Sequence, residues 1–194
     1  KNVDIADDPA LPLPAKPWFA ADGLWVTTTD PKAQMTVELA STSSIRLHFQ
    51  KGPNLGSFEI SSDRVDGQSE VVDTQADTWS YATVTVVGRS ANIRTIAGQV
   101  TLFGIDIVRN PELRGGGITH QMGNAWGMAH HFATIETAAY QSFFATVKPD
   151  LLTVMLGTND MCNGWHPNEY REQLDQLLLK FRRSASQASI LVMS

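Results

Sequence analysis

The period of the hydrophobic pattern changes once along this chain, near Asn110-Pro111, and this change constrains the fold more than any other feature. Before it, apolar and polar residues alternate, as at Met35, Val37 and Leu39, which is typical of strands with one buried face. Turn-forming residues such as Gly88-Arg89-Ser90 separate these runs. The predicted strands are residues 34–39, 43–50, 56–61, 81–87, 92–97 and 100–108. Short strands at this spacing predict a β-sandwich or jelly roll.

After residue 110 the apolar residues recur at helical spacing. One stripe predicts a single long helix: Met128, Phe132, Ile135, Ala139, Phe143 and Val147. The apolar run 151–156 then predicts a strand buried on both faces, and Pro167 is well placed to begin the next helix. Residues 190–193 predict a returning strand. Strand, helix and strand in this order require a parallel pair with a crossover connection.

These patterns divide the chain into three segments. Residues 1–23 contain several prolines and predict a Pro-rich linker or edge segment. Residues 24–110 predict the β-sandwich, and one interpretation of it is a carbohydrate-binding module. Residues 111–194 predict part of an α/β domain. The chain begins with Lys1 and ends directly after a predicted strand, so we expect it to be cut from a larger protein.

Composition excludes several classes of function. The formal net charge is −5 and no basic run is present, which argues against a nucleic-acid partner. No apolar run has the length of a membrane span, and no signal-peptide pattern occurs. Cys162 is the single cysteine, so an intrachain disulfide is impossible.

Directly after the predicted strand 151–156 comes Gly157-Thr158-Asn159-Asp160. In an open α/β sheet, ligands bind at the carboxyl ends of the strands. The tetrapeptide resembles the third conserved block of the SGNH (GDSL-type) esterase and acyl hydrolase family. The resemblance implies that Asn159 donates its side-chain amide to an oxyanion hole. The alternative is an ordinary turn, because all four residues favour turns.

A second part of the resemblance lies before the predicted long helix. In this family a glycine follows a strand there, and Gly123 is the better match, with Gly127 as the weaker one. The resemblance implies that the backbone N–H of Gly123 is another oxyanion donor. A glycine suits that position because its backbone can approach a ligand without a Cβ in the way. The alternative is a plain loop glycine.

The chain also departs from the family pattern. The family's nucleophilic serine lies in a Gly-Asp-Ser block and its acid/base pair in an Asp-x-x-His block, and neither occurs here. Ser142 falls in the predicted helix, and the serines at 41, 43 and 44 fall in the predicted sandwich, so none of them resembles a nucleophile. We therefore expect this chain to supply the oxyanion-hole part of a Ser-His-Asp hydrolase whose remaining segments lie elsewhere.

The order of the segments is similar to one subgroup of the family, which has a β-sandwich inserted after its first block. This likeness implies that the sandwich is followed along the chain by part of an α/β/α, flavodoxin-like domain with a parallel sheet. It further implies O-acetyl esterase activity on polysaccharide or peptidoglycan, no cofactor, and an extracellular or periplasmic location. The alternative from another class is a non-catalytic carbohydrate-binding or structural module of a surface or phage protein.

Further residues near the block are candidates for substrate contact. We predict a substrate-binding role for Asn124, Asp160, Trp165 and His166. Asn163 could also line the cleft, and for Asn163, Trp165 and His166, as residues of an ordinary loop, no role at all is an equal alternative. Cys162 and His166 have a loosely metal-like spacing, but two ligands do not make a site, so we predict no metal.

Two predictions concern the sandwich segment. Trp25, Trp79 and Tyr81 could stack on a sugar, although core packing is the commoner use of tryptophan in strands. We expect Trp79 to be the most exposed of them. His48 alternates with the apolar core face, so we expect it to face solvent.

Overall fold

The computed structural model describes residues 25–64, 69–109, 119–120, 122 and 127–193. The predicted linker of residues 1–23 lies outside this described part. The chain divides after His120 into two compact units, and each is considered by itself.

The first unit is a six-stranded antiparallel, sandwich-like sheet. Its strands are β1 (Val26–Thr28), β2 (Gln34–Lys51), β3 (Ser57–Ser62), β4 (Ser69–Asp73), β5 (Ser80–Ala97) and β6 (Val100–Arg109). Their order across the sheet is β1-β6-β2-β5-β3-β4. The predicted all-β character is confirmed for this unit, and β1 and β4 are additional to the predicted strands.

Two long strands replace four of the predicted ones. The sequence predicts a turn at residues 88–90, but β5 continues through them, and this prediction was wrong. Asp63 explains why, since its Oδ1 accepts the backbone N–H groups of Arg89 and Ser90 at 2.8 and 3.0 Å. A side chain directly after β3 therefore satisfies the donors that a turn would have left exposed.

One apolar cluster lies within this unit. Strands β2, β3, β4, β5 and β6 all contribute to it, and both halves of β5 share this core. Its buried members are Ile45, Leu47, Phe49, Phe58, Ile60, Val72, Val84, Val86, Ala91, Ile93 and Val100. Phe49 and Phe58 meet edge to face, with centroids 5.2 Å apart. Burying one such aliphatic or aromatic side chain stabilises the fold by about 1.5–3 kcal/mol.

His48 does not face solvent as predicted, since it is only 4% exposed. Its Nε2 lies 2.8 Å from Asp106 Oδ2, and its Nδ1 shares a hydrogen bond with the Tyr81 hydroxyl. His120 Nδ1 lies 3.3 Å from the other oxygen of Asp106. The prediction failed because alternation assigns a residue to one side of its strand without showing which polar groups the neighbouring strands bring to that side.

Asp106 makes this polar cluster sensitive to acid. Burial acts to raise the pKa of Asp106. The hydrogen bond from His48 and the charge interactions with His48, His120 and Arg46 outweigh burial and hold this pKa below its ordinary value. The contribution of Asp106 to the free energy of unfolding is therefore complete above the ordinary aspartate pKa and is lost as the pH falls through the lowered pKa.

We expect Asp106→Asn to lower the free energy of unfolding of the first unit by about 1–3 kcal/mol at neutral pH, because a charge-assisted hydrogen bond is lost. The difference from wild type should shrink in acid, where the wild-type carboxylate is also protonated. Urea titrations at several pH values, followed by circular dichroism, measure it. The exposed Asp77 provides a control substitution, Asp77→Asn. A difference that stays constant over the whole acidic range would contradict the assigned ion pair.

The second unit contains four helices and a parallel pair of strands among its described residues. The elements are α1 (Ala129–Thr134), α2 (Thr137–Val147), β7 (Leu151–Met155), α3 (Thr158–Cys162), α4 (Pro167–Ser184) and β8 (Ser189–Met193). Strands β7 and β8 pair in parallel, from Leu151 with Ser189 to Met155 with Met193. The predicted strand-helix-strand unit is confirmed, and Pro167 begins α4 as predicted. Within the described part of the chain, no helix has both the length and the apolar character that crossing a membrane requires.

The predicted single helix is interrupted at Ile135 and Glu136, so that prediction was wrong. Lys180 of α4 lies against the break, and its ammonium group donates to the carbonyl oxygens of Ala133 and Ile135. A cation at the end of α1 thus satisfies carbonyls that a continuous helix would have bonded internally. The apolar spacing alone could not reveal this, because Lys180 lies far along the chain.

Strand β7 is buried on one face rather than on both. Leu152 and Val154 are 8% and 5% exposed, whereas Leu151 and Met155 are 54% and 75% exposed. The described residues of this unit cover only the face that carries Leu152 and Val154. The apolar run was correctly interpreted as a strand but not as a fully covered one.

Candidate functional site

Gly157 connects β7 to α3 in a conformation that few other residues adopt. Its φ is +117° and it forms the N-cap of α3. A Cβ at this position would lie 3.2 Å from both Cζ and the hydroxyl oxygen of Tyr170. The Tyr170 hydroxyl in turn donates to the carbonyl oxygen of Leu156 at 3.0 Å. The glycine therefore allows the strand end, the start of α3 and the Tyr170 ring to meet closely.

Asn159 lies in the first turn of α3 and is half-buried. Its side-chain Nδ2 donates to the carbonyl oxygen of Gly127 at 3.0 Å. A carboxamide nitrogen carries two N–H groups, so this bond uses one and leaves the second as a donor. Asn159 can therefore serve as an oriented hydrogen-bond donor at the carboxyl end of a parallel strand, where ligands bind in open α/β sheets.

Asp160 is 1% exposed. Its Oδ1 accepts the backbone N–H of Ala129, at the start of α1, over 3.0 Å. Oδ2 is buried and has no hydrogen-bond partner among the described residues. The carboxylate thus lies beneath the surface and is bonded to the backbone, and the substrate-binding role predicted for it stays a prediction.

His130 and Trp165 form an aromatic pair next to these residues. Their rings stack with centroids 4.7 Å apart and planes 14° from parallel, and Trp165 is half-buried. The backbone N–H of Trp165 donates to the carbonyl oxygen of Asp160 at 3.0 Å. Burial, followed by repulsion from His131, lowers the pKa of His130, and the charge of Asp160 opposes that shift.

Tyr170 also feels the charge of Asp160. Burial and the nearby carboxylate both raise the pKa of the Tyr170 hydroxyl, so this group stays protonated and can donate to Leu156. The sequence pattern did not assign Tyr170 or His130 to this site. A helical stripe predicts burial, whereas a contact with Gly157 is a tertiary property.

The structure describes only some of the other predicted site residues. Gly123 and Asn124 lie outside the described residues. His166 is exposed and is the N-cap of α4. Its Nδ1 accepts the backbone N–H of Asn168 at 3.3 Å, and the backbone N–H of His166 donates to the Glu169 carboxylate. Its substrate-binding role stays a prediction, as does that of Trp165. Among the described residues, no three His, Cys, Asp or Glu side chains lie close enough together to hold a metal ion.

Residues 66–194 match the sequence model of the family described as GDSL-like Lipase/Acylhydrolase. Among solved structures, a family 16 carbohydrate-binding module is 12% identical with a TM-score of 0.29, and the alignment covers 45% of this chain and 77% of that one. A family two carbohydrate esterase from Clostridium thermocellum, in complex with cellohexaose, is 11% identical with a TM-score of 0.26, over 86% of this chain and 72% of that one. Both TM-scores are too low for either likeness to carry an argument. No curated protein matches the sequence.

Proposed function

Since the match over residues 66–194 spans more than half of the chain, the protein belongs to the GDSL-like lipase/acylhydrolase family, and we propose that it removes O-acetyl groups from a polysaccharide or peptidoglycan. The family membership agrees with the resemblance noted at Gly157-Thr158-Asn159-Asp160. The acetyl group, the carbohydrate and the subgroup with an inserted sandwich belong to the proposal.

The observation that carries this proposal is the position of the Asn159 carboxamide. It follows a parallel strand, one of its N–H groups is bonded to Gly127, and the other has no acceptor among the described residues. In ester hydrolysis the attack on the carbonyl carbon places a negative charge on the carbonyl oxygen. A donor held in place before the reaction stabilises that charge without reorganising, and one such donor is typically worth about 10²–10³ in turnover. In the proposal the backbone N–H of Gly123 is the companion donor.

The remaining chemistry is that of a Ser-His-Asp hydrolase. The serine attacks the acyl carbon, the histidine takes the serine proton and later gives it to the leaving alcohol, and the aspartate orients the histidine. We propose that these three residues come from segments of the hydrolase outside this sequence, because the sequence contains neither a Gly-Asp-Ser nor an Asp-x-x-His block. This reaction needs no cofactor. An acetylated cell-wall or polysaccharide substrate would place the protein outside the cytoplasm, in the extracellular or periplasmic space.

An assay of the full-length protein tests this proposal. Acetate release is measured from p-nitrophenyl acetate, from an acetylated polysaccharide such as acetylated xylan, and from acetylated peptidoglycan. Turnover of the small ester together with one of the polymers supports the proposal. No turnover of any of them, combined with glycan binding that survives Asn159→Ala, would instead support a non-catalytic carbohydrate-binding module.

A further inference from the structure

Two consecutive residues of α3 hold the same short segment of backbone. Asn159 Nδ2 donates to the carbonyl oxygen of Gly127, and Asp160 Oδ1 accepts the N–H of Ala129, both at 3.0 Å. In the first bond the side chain from α3 is the donor, and in the second it is the acceptor. The two backbone groups that they reach belong to residues only two positions apart. Together they fix both the position and the orientation of residues 127–129 relative to α3.

The bond to Ala129 is the better protected of the two. Ala129 is 0% and Asp160 1% exposed, whereas Asn159 is half-buried. A carboxylate loses favourable hydration when it is buried, and it is retained at such a position only where hydrogen bonds compensate. A charge-assisted bond shielded from water is stronger than a neutral one. Asp160 is therefore the firmer of the two anchors.

A second set of contacts connects α3 to the backbone around Ala129. The carbonyl oxygen of Asp160 accepts the N–H of Trp165, and the Trp165 ring stacks on His130, the residue after Ala129. The backbone around Ala129 is thus held from α3 by the carboxylate and by the indole ring that follows α3. This leaves the Gly127 carbonyl little freedom to shift.

We propose that Asp160 is a positioning residue that holds the Gly127 carbonyl in place and thereby orients the Asn159 carboxamide toward a reacting acyl oxygen. The inference rests on the proposed function, in which Asn159 is an oxyanion donor. The terminal torsion of an asparagine is broad, so the direction of its second N–H depends on the acceptor that holds the first. When residues 127–129 move, the donor moves with them, and small misplacements of catalytic groups carry large losses of rate.

The experiment is a double-mutant cycle in the full-length hydrolase, with Asn159→Ala, Asp160→Ala and the combination of both. We expect Asp160→Ala to lower kcat roughly 10-fold or more with little change in KM, because only transition-state stabilisation is weakened. In the Asn159→Ala background the same substitution should have almost no effect on kcat, because no carboxamide remains to be positioned. Asp160→Asn keeps an acceptor oxygen for Ala129 and should restore most of kcat. The exposed Asp175 provides the control Asp175→Ala.

Each outcome either supports or overturns the positioning role of Asp160. Equal losses of kcat in both backgrounds would overturn the positioning role, because a general weakening of the fold acts independently of Asn159. If Asn159→Ala alone leaves kcat unchanged, the oxyanion role in the proposed function fails, and the positioning role fails with it. Where Asp160→Ala does not fold, the cycle is run with Asp160→Asn. The smaller loss should again disappear in the Asn159→Ala background, and a loss that persists there overturns the proposal.

Discussion

Replacing Asn159 by alanine is expected to lower kcat for ester hydrolysis by about 10²-fold or more in the full-length protein. The variant loses the N–H that would face the oxyanion, and this charge develops during the attack and is absent from the bound ester. The loss should therefore appear in kcat and kcat/KM, with KM changed little. Initial rates with p-nitrophenyl acetate over a range of concentrations measure both parameters.

Two further variants sharpen this test. Asn159→Asp keeps the shape of the side chain, but an ionised carboxylate cannot donate a hydrogen bond and repels the oxyanion, so we expect it to be at least as inactive as alanine. Asn168→Ala changes an exposed asparagine in the first turn of α4 and should leave kcat unchanged. A wild-type rate in Asn159→Ala would remove Asn159 from the mechanism.

Replacing Gly157 by alanine is expected to destabilise the second unit by about 2–5 kcal/mol, since backbone strain and overpacking each contribute. The φ of +117° is unfavourable for any residue with a Cβ, and the new methyl group would also press against the Tyr170 ring at 3.2 Å. Urea titration followed by the helical circular dichroism signal measures the change. Activity should fall as well, because Asn159 lies only two residues after the strained position and would be displaced with it.

Gly164 provides the matched control. Its φ is +76°, but a Cβ there would meet nothing within 4 Å, so Gly164→Ala tests backbone strain without a steric contact. We expect it to cost about 1–2 kcal/mol. Equal losses for the two variants would show that the new methyl group at position 157 makes no costly steric contact with Tyr170.

The local features of this fold could be predicted from the sequence. Alternation at Met35, Val37 and Leu39 depends only on residues adjacent in the chain, and it correctly predicted a strand. Pro167 began a helix, and the apolar run before Gly157 formed a parallel strand, for the same local reasons. The Gly157-Thr158-Asn159-Asp160 motif pointed to the family that the chain belongs to.

Features that depend on distant partners could not be predicted. The Asp63 carboxylate keeps β5 continuous where the sequence favours a turn, and Lys180 satisfies the carbonyls at the break between α1 and α2. His48 is buried because Tyr81 and Asp106 lie beside it on neighbouring strands. Hydrophobic spacing carries no information about such pairings.

The candidate site also combines a local feature that the sequence could predict with contacts that it could not. The sequence by itself determined that an asparagine follows a strand and a glycine, because that is a matter of residue order. Only the tertiary structure decided that Asn159 bonds to Gly127 and that Asp160 lies buried against Ala129. The physical reason is that these hydrogen bonds join residues roughly thirty positions apart, so they form only once α3 has come together with the segment at the start of α1.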